Sequence, residues 1–258
     1  MSETSHDHMA TSSQVCAAGT TIEPHLHPWH QVVYPSTGAV AVTTDVGTWI
    51  TPPNRAIWIP AGVLHHHRFH GRTRFHCVAF EPARYADPAR RPTVLLIDPL
   101  TRELIKARSS ADTDDSPGGR RLLDVLHDHL RFDDPQPQWL PTPTDPRLVE
   151  ACTLVAENLS TPLRLSAVGA AIGVGERTLS RLFAEDLAMS YREWRTQLRL
   201  HHAVRLLADD HTVTDVAHRC GWATPSAFID TFRRSLGYTP GTSSASRARS
   251  GTRTQNGV

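Results

Sequence analysis

The chain has 258 residues, of which 39% are hydrophobic and 21% are charged, and its formal net charge is +1. This length permits two domains that each bury a core, and the composition is typical of a soluble globular protein. The sequence has no signal peptide and no apolar run of 18 residues, which argues against a membrane protein and predicts a cytoplasmic location. The four cysteines are widely separated, form no CxxC pattern and are interpreted as small core residues: Cys16, Cys77, Cys152 and Cys220.

The charge is distributed unevenly along the chain. Residues 146–258 contain fourteen Arg, no Lys and ten acidic residues, so this part carries +4 and the rest carries −3. A basic module attached to a mildly acidic one is typical of a protein that places only one part against phosphate.

The N-terminal part predicts a tail followed by a sheet. Residues 1–18 are polar and small, without hydrophobic period, so we expect a disordered tail in which His6 and His8 are solvated. From residue 19 to 82 the sequence consists of short apolar alternations broken by Gly and Pro, such as Val40, Val42 and Thr44. Strands of this length separated by turns predict a small antiparallel barrel or jelly roll.

Two spaced motifs lie within residues 19–82. The first has the spacing G-x5-HxH-x3-E-x6-G, with Gln in place of Glu, and consists of Gly19, His25, His27, Gln31 and Gly38. The second has the spacing P-x-G-x2-H and consists of Pro60, Gly62 and His65. Together they resemble the cupin sensor domain found before some AraC-type DNA-binding domains. The second motif departs from the pattern, because Asn54 replaces its opening glycine and Phe69 its closing asparagine.

The motif histidines allow two interpretations. His25 and His27 lie two residues apart and point to the same side of a strand, so His65 from a later strand would complete a three-imidazole set. Such a set suits a divalent metal such as Zn, Fe, Ni or Cu, with Gln31 as a weaker ligand than a carboxylate. Alternatively, these side chains line a ligand pocket and their nitrogens are satisfied by hydrogen bonds or water.

Two neighbouring groups of side chains also have open interpretations. His66, His67, His70 and His76 favour a solvated strand end over a pH-sensing cluster, with His67 on the same face as His65. The aromatic residues either form the core or wall a pocket for an apolar effector: Trp29, Tyr34, Trp49, Trp58 and Phe69.

Residues 83–132 predict a pair of amphipathic helices. Leu100, Leu104 and Ala107 share one face of the first helix, and the second has a stripe of Leu122, Leu123, Leu126 and Leu130. In sensor-bearing relatives this region forms the dimer contact, and packing on the barrel is the alternative. Residues 133–145 contain five prolines with Pro146 included, which predicts a semi-extended interdomain linker.

Residues 146–241 contain the same helix-turn-helix pattern twice, within a predicted set of seven helices. A small residue precedes a turn glycine by four positions in both copies, Gly169 before Gly173 and Ala217 before Gly221. Helix starts are predicted from Asp145–Pro146, from a capping box of Ser190 with Glu193, from Thr212 and from Thr224–Pro225.

The paired motifs, the connecting helix from Trp194 and the ending GYTP resemble the DNA-binding domain of the AraC family of bacterial transcription regulators. The resemblance implies two recognition helices that enter adjacent major-groove segments about 34 Å apart. It places Arg177, Thr178, Ser180 and Arg181 on the first recognition helix and Thr224, Ser226, Arg233 and Arg234 on the second. Arginine binds guanine bidentately. Asp230 stands where many relatives have a basic or polar groove residue, and His201 and His202 where they often have Arg.

The sequence therefore predicts an α+β protein of two domains: an N-terminal antiparallel, cupin-like β-barrel with a helix pair, and a C-terminal all-α domain with two helix-turn-helix motifs. The boundaries are 1–18, 19–82, 83–132, 133–145, 146–241 and a disordered, Arg-containing tail at 242–258. The expected function is sequence-specific transcriptional regulation by a homodimer that senses a small molecule or a metal ion, possesses no catalytic residue and controls a transporter gene. Double-stranded DNA is the expected partner, with RNA polymerase as a further one and no membrane. The alternative is a cupin metalloenzyme of the dioxygenase or isomerase type with an accessory helical domain.

Overall fold

The computed structural model describes residues 11–87, 89–110, 116–132 and 139–240. The chain divides into two compact units. The sheet unit comprises the described residues of Met1–Asp45 and Trp49–Gln136, and the helical unit comprises those of Val46–Thr48 and Pro137–Val258. The chain is thus an α+β protein in which an antiparallel sheet precedes an all-helical region.

The sheet unit is built around one long central strand. Its strands are β1 (Ser12–Cys16), β2 (Thr21–His25), β3 (His30–Thr43), β4 (Gly47–Thr51), β5 (Arg55–Ile59), β6 (His65–Phe80), β7 (Thr93–Leu96) and β8 (Arg131–Phe132). β6 pairs antiparallel with β1 and β2 on one side and with β3 on the other. β3 pairs in turn with β5, β5 with β7, and β7 with β8, while β4 pairs with β3.

Both faces of most of β3 are covered. Consecutive residues of β3, from His30 to Pro35 and from Ala39 to Val42, are buried or nearly so, which a sheet with one solvated face does not show. Tyr34, Trp49, Trp58 and Phe69 are among the largest fully buried side chains, so these aromatic residues form the core. Trp29 differs from them because it is half-buried.

Two helices, α1 (Pro99–Ser110) and α2 (Pro117–His129), pack on the sheet. Ile105 and Leu126 join the buried cluster that contains Val32, Trp58 and Phe80. The predicted face of α1 is wrong, because Leu100 and Ala107 are exposed and the buried residues are Thr101, Ile105, Arg108 and Ser109. Three of these four buried residues are polar, so a count of apolar positions alone selects the wrong side of the helix.

Two predicted boundaries also need correction. Residues 12–16 form a strand within the predicted tail, because backbone hydrogen bonding to β6 orders a segment that has few apolar side chains. The sheet continues past the predicted end at residue 82 through β7 and β8. In the predicted linker, Trp139–Pro141 form a short strand, β9. Residues 133–138 and the predicted C-terminal tail lie outside the described residues, as do residues 1–10.

The helical unit contains six helices in the range 139–240, one fewer than predicted. Each helix-turn-helix motif contributes two helices, one long helix connects the motifs, and a single helix precedes the first motif. They are α3 (Pro146–Glu157), α4 (Leu165–Ala171), α5 (Glu176–Leu187), α6 (Tyr191–Ala208), α7 (Val213–Arg219) and α8 (Pro225–Leu236). In the part of the chain that the structure describes, no helix is long and apolar enough to cross a membrane.

The predicted helix starts are confirmed by side-chain caps. Asp145 accepts a hydrogen bond from the Arg147 amide, Thr212 accepts one from the Asp215 amide and Thr224 accepts one from the Ala227 amide. Ser190 and Glu193 form the complete capping box at the start of α6. These caps satisfy amide groups that have no partner within the helix, so the local sequence itself fixes where four of the six helices begin.

The two turns have the backbone that the repeated glycines predict. Gly173 and Gly221 have φ angles of +70° and +73°, a region that side chains with a Cβ atom rarely adopt. Before the first turn, a Cβ atom on Gly169 would collide with the Val174 carbonyl oxygen. Cys152 and Cys220 are buried in this unit, as predicted.

Candidate functional site

The first recognition helix presents one polar face to solvent. Along α5, Arg177, Ser180, Arg181 and Ala184 are exposed, and they share one face because 177 and 181, like 180 and 184, lie four residues apart. The opposite face buries Leu179, Leu182, Phe183 and Leu187. Arg181 forms an ion pair with Glu185 one turn later, at 3.2 Å. Thr178 is half-buried, so this predicted site residue lies at the edge of the exposed face.

The second recognition helix has the same arrangement. Ser226, Asp230, Arg233 and Arg234 are exposed along α8, and Phe228, Phe232 and Leu236 are buried on the opposite face. Thr224 is exposed as well, but its hydroxyl accepts the Ala227 amide at 3.1 Å. This predicted base-contacting residue therefore has a structural role as the helix cap. The two arginines lie in the last turn of α8, away from the end that the cap marks.

The connecting helix α6 has 18 residues, which corresponds to about 27 Å. Its buried residues include Trp194, Leu198 and Val204, and Phe183 of α5 packs on Trp194 with ring centroids 5.5 Å apart. A rigid element of this length is comparable to the 34 Å spacing of successive major-groove segments.

The structure also places arginines of α6 in positions that the sequence prediction missed. Arg192, Arg195 and Arg199 line a cleft of about 330 Å³ beside Trp222 and Thr231. The Arg199 guanidinium lies 3.9 Å from the centre of the Trp222 ring and donates to the Cys220 carbonyl. Burial is the largest of the effects that lower the pKa of Arg199, to about 10. The signal in the sequence was the repeat of Arg at positions 192, 195 and 199, which places them on one side of the helix.

In the sheet unit, the predicted histidines come together. His25 and His65 are direct cross-strand partners of β2 and β6, and their ring centroids lie 4.4 Å apart. His27 follows β2, and its ring centroid lies 5.0 Å from that of His65 and 6.1 Å from that of His25. His67 joins them at 5.1 Å from His65, as the alternation along the strand predicts. We call these four residues the histidine cluster.

The ring nitrogens of the histidine cluster are unevenly used. The Nδ1 atoms of His25, His27 and His65 lie 2.6–2.9 Å from the backbone carbonyl oxygens of Glu23, Trp29 and Val63. Only a protonated Nδ1 donates to a carbonyl, so in the neutral form of each ring the free lone pair is on Nε2. The Nε2 atoms of His27 and His65 and both nitrogens of His67 are buried without a hydrogen-bond partner.

Burial favours the neutral form of three members of the histidine cluster. It is the largest cause that lowers the pKa of His27, of His65 to about 4, and of His67 well below its usual value of 6.5. Neutral imidazoles whose Nδ1 is held by a carbonyl are the form in which histidine binds a metal. The side chains as they stand, however, do not bring three His, Cys, Asp or Glu donors around one metal position in the described ranges. Gln31, the fourth predicted ligand, is fully buried beside His27.

The prediction of a solvated strand end is wrong for three of its four histidines. His67, His70 and His76 are buried, and only His66 is half-exposed. The reason is that other elements cover the faces of β6 on which these rings lie, whereas Arg68, Arg72 and Arg74 of the same strand are exposed. The His76 ring, for example, lies within hydrogen-bond distance of the Ser109 and Ser36 hydroxyls, at 2.7 and 3.0 Å.

Sequence families match both parts of the chain. The family described as "AraC-like ligand binding domain" matches residues 13–130, and that described as "Helix-turn-helix domain" matches residues 168–245. The chain is 33% identical over 247 residues to the HTH-type transcriptional regulator NimR of Escherichia coli. The aligned region covers 93% of this chain and 89% of NimR. It is 30% identical to the HTH-type transcriptional regulator RipA of Corynebacterium glutamicum over 64% of this chain and 47% of RipA.

A solved structure of a transcriptional regulator with an AraC-type DNA-binding domain, from Chromobacterium violaceum, is 31% identical to this chain. It covers 41% of this chain and 96% of its own, with a TM-score of 0.38. The relatives are regulators, so the alternative of a cupin metalloenzyme is set aside. A helix-turn-helix domain binds DNA, and the domain before it binds a small-molecule effector. The chain therefore belongs to the AraC family of transcriptional regulators, with a ligand-binding sheet unit and a DNA-binding helical unit.

Proposed function

We propose that α5 and α8 enter successive major-groove segments on one face of the DNA and read its sequence together. The observation that carries this proposal is the pair of matched helices, each with a polar exposed face and an apolar buried face, on either side of α6. Arg177, Ser180 and Arg181 of α5 contact bases or nearby phosphates, and Ser226, Arg233 and Arg234 of α8 do the same. Arg192 of α6 is exposed at the cleft beside α8 and is suited to a phosphate.

The test of DNA reading is a fluorescence anisotropy titration of the full chain on the promoter beside its own gene, with random duplex as competitor at fixed salt. Arg177→Ala and Arg181→Ala are each expected to weaken specific binding about tenfold or more, since a bidentate arginine–guanine contact contributes about 1–3 kcal/mol. Arg72→Ala, an exposed arginine on β6, is the matched control and leaves the affinity unchanged. Equal affinity of the unmodified protein for promoter and random duplex contradicts sequence-specific reading.

We infer that the effector changes DNA affinity through a difference in binding free energy between two arrangements of the protein, typically about 1–3 kcal/mol. Regulation of this kind takes place where the chromosome lies, which agrees with the cytoplasmic location expected from the sequence. The regulated gene is proposed to encode a transporter, and RNA polymerase is the further partner through which transcription changes. Mapping the bound genomic sites of the full chain tests the choice of target gene.

We propose that the functional form is a homodimer assembled through α1 and α2. Packing on the sheet leaves apolar side chains of both helices exposed, Leu100 at 52% and Val125 at 44%. Exposed apolar side chains of this size are suited to a second copy of the chain. Sedimentation of the full chain tests this, and a double substitution of Leu100→Glu and Val125→Glu is expected to shift a dimer to the monomer. A monomer at all concentrations without these substitutions contradicts the proposal.

We also propose that the histidine cluster binds a divalent metal such as Zn, Fe, Ni or Cu. The support is chemical: three rings present Nε2 with Nδ1 held by a carbonyl, and two of those Nε2 atoms are buried without a partner. Binding requires the rings to turn from their present positions, because no three donors converge in the described residues. Elemental analysis of the protein after addition of each metal should give about one metal per chain, and His27→Ala should abolish it while His66→Ala does not. Less than about 0.1 metal per chain contradicts the proposal.

A further inference from the structure

The sheet unit contains a cleft that is separate from the histidine cluster. Its volume is about 700 Å³, within the range of small-molecule sites. It lies between the connection from β2 to β3, the segment after β6, the end of α1 and the start of α2. Trp29, Tyr85 and Leu123 supply apolar walls, and Arg108 lies among them.

Arg108 is the unusual member of this lining. The side chain lies on the sheet-facing side of α1, the residue is only 8% exposed, and its Nε and Nη1 atoms are buried without a hydrogen-bond partner. A guanidinium group remains charged at physiological pH, so the unit buries a positive charge whose donors are not satisfied. A guanidinium binds a carboxylate with two parallel hydrogen bonds, either through Nε and Nη2 or through Nη1 and Nη2. Because Nε and Nη1 have no partner, neither pair of nitrogens of Arg108 makes such an interaction.

The nearby acidic groups do not satisfy Arg108. The Asp124 carboxylate accepts two hydrogen bonds from Arg84, at 2.7 and 2.9 Å, and one from the Tyr85 hydroxyl at 2.7 Å. Glu81 lines the cleft but is exposed to solvent, and its carboxylate makes no ion pair among the described residues. A buried charge without a partner is strongly destabilising, and a group of this kind that lines a cleft is a candidate for a functional site.

A second donor lies in the same lining. The indole Nε1 of Trp29 is buried and has no hydrogen-bond partner. Two unsatisfied donors and several apolar walls favour a ligand that has hydrogen-bond acceptors at one end and an apolar body. An acid with one carboxylate meets these requirements, whereas a cation or a polyol does not.

We propose that the effector of this regulator is an organic carboxylic acid that binds in this cleft, with its carboxylate on Arg108 and its apolar body between Trp29, Tyr85 and Leu123. This proposal rests on the effector-binding role of the sheet unit and specifies its ligand class. The carboxylate supplies the acceptor that the guanidinium lacks, in a site where burial strengthens the ion pair.

The cleft is connected to the histidine cluster through Trp29. The Trp29 ring stacks on the His27 ring, with centroids 5.2 Å apart and 4° between the planes, and the Trp29 carbonyl lies 2.6 Å from His27 Nδ1. An acid that contacts the indole therefore contacts the residue that orients His27. Occupation of the cleft is expected to change the affinity of the histidine cluster for a metal, and the reverse, because coupling between two sites is reciprocal.

The experiment measures binding of three acids of different shape, benzoate, 2-naphthoate and decanoate, to the full chain by calorimetry and thermal shift. Each acid is compared with its neutral amide. We expect at least one acid to bind at least tenfold more tightly than its amide. If no acid binds more tightly than its amide, the proposal is overturned.

Arg108→Met keeps a flexible, unbranched side chain, although a shorter one, and removes the charge. It is expected to raise the melting temperature of the ligand-free protein, since it removes an unsatisfied buried charge, and to reduce the preference for acid over amide to about onefold. Arg72→Met, an exposed arginine of β6 that does not line the cleft, is the control and keeps both properties. An unchanged preference in Arg108→Met overturns the proposal.

Trp29→Phe provides a second variant that keeps the ring and removes only the indole donor. It is expected to weaken acid binding severalfold, and this variant retains the test if Arg108→Met does not fold. Acid binding that is equally tight in Trp29→Phe and in the unmodified protein places the ligand elsewhere. DNA affinity in the absence of any acid is measured in parallel, and its loss would indicate a failure of DNA reading and not of the ligand class.

Discussion

The two units satisfy their polar groups in different ways. In the helical unit, four of the six helix starts are capped by side chains no more than three residues away, from Asp145, Ser190, Thr212 and Thr224. In the sheet unit, His65, His67 and Arg108 are buried with nitrogen atoms that have no hydrogen-bond partner. The helical unit also buries side-chain atoms without a hydrogen-bond partner, among them atoms of Trp194, Arg195 and Gln197. Among the described residues, however, imidazole nitrogens in this state are found only in the sheet unit, where Arg108 also lines a cleft that a ligand could occupy.

This difference matches the two functions. A DNA reader must hold two helices at a fixed separation, which local caps and an 18-residue connecting helix provide. A sensor must respond to an effector, and unsatisfied buried groups give the bound state an advantage that the free state lacks. Three substitutions test whether turn glycines and caps stabilise the helical unit and whether buried neutral groups determine the stability of the sheet unit.

The largest effect is expected from Gly221→Ala in the second turn. An alanine at this position would have an unfavourable positive φ. Its Cβ atom would also lie too close to the carbonyl oxygens of Leu159 and Ser160. We expect a loss of about 3 kcal/mol in the free energy of unfolding, from backbone strain together with steric overlap. The measurement is urea unfolding of the full chain, followed by circular dichroism at 222 nm.

Gly173→Ala is the matched control in the first turn. Its φ is nearly the same, at +70°, but a Cβ atom there meets nothing within 4 Å. The expected loss is about 1 kcal/mol, from backbone strain alone. Equal losses in the two variants would mean that backbone strain, and not the close approach of the Leu159 segment, determines the cost.

The next effect concerns pH and the buried imidazoles. Burial lowers the pKa of His27, His30, His65, His67 and His76 in the sheet unit. His76 is suited to a test because its pKa is lowered to about 4, first by burial and then by Lys106 and Arg74, and because it lies away from the histidine cluster. In the unfolded chain this imidazole binds a proton below a pH of about 6.5, whereas in the folded protein it does so only near pH 4. The free energy of unfolding is therefore highest above pH 6.5 and falls as the pH decreases towards about 4.

His76→Gln keeps a side chain that hydrogen-bonds Ser109 and Ser36 but does not titrate. Between pH 7 and pH 5, the unmodified protein should lose about 2 kcal/mol more than this variant in the free energy of unfolding. The measurement is urea unfolding at both pH values in the presence of a chelator. His218→Gln, on the exposed side of α7, is the control and keeps the full loss. An identical loss in His76→Gln would show that this ring is not held neutral.

The sequence predicted the helical unit well because its determinants are local. Capping residues, the prolines after Asp145 and Thr224 and the turn glycines each act within a few residues of where they stand. The exposed positions of Arg177 and Arg181 follow from helical spacing once those ends are known. The predicted count of seven helices was wrong by one, since six helices lie in the range 139–240.

The sheet unit was predicted less completely because its determinants are distant in sequence. The spacing of His25, His27 and His65 brought the right residues together, but it gave no indication that β6 is enclosed on both sides. His70 and His76 are buried in that arrangement, which the sequence did not indicate because β6 pairs with residues of β1 and β3 that lie 23 to 65 positions away. Arg108 was missed for the same reason, since a charged residue in an amphipathic helix is usually assigned to solvent.

The smallest effect tests the local caps of the helical unit. In the capping box of α6, Ser190 accepts the Glu193 amide at 3.3 Å, and the Glu193 carboxylate accepts the Ser190 amide at 2.8 Å. Ser190→Ala is expected to cost about 1 kcal/mol in urea unfolding, because it leaves the amide of Glu193 without its partner. Arg164→Ala, at the start of α4, where no side chain caps the helix, should change stability by less than about 0.5 kcal/mol. If both variants cost the same, the caps mark the helix starts without stabilising them, and the rigidity of the DNA-reading helices would then depend on packing around Trp194 and Phe183.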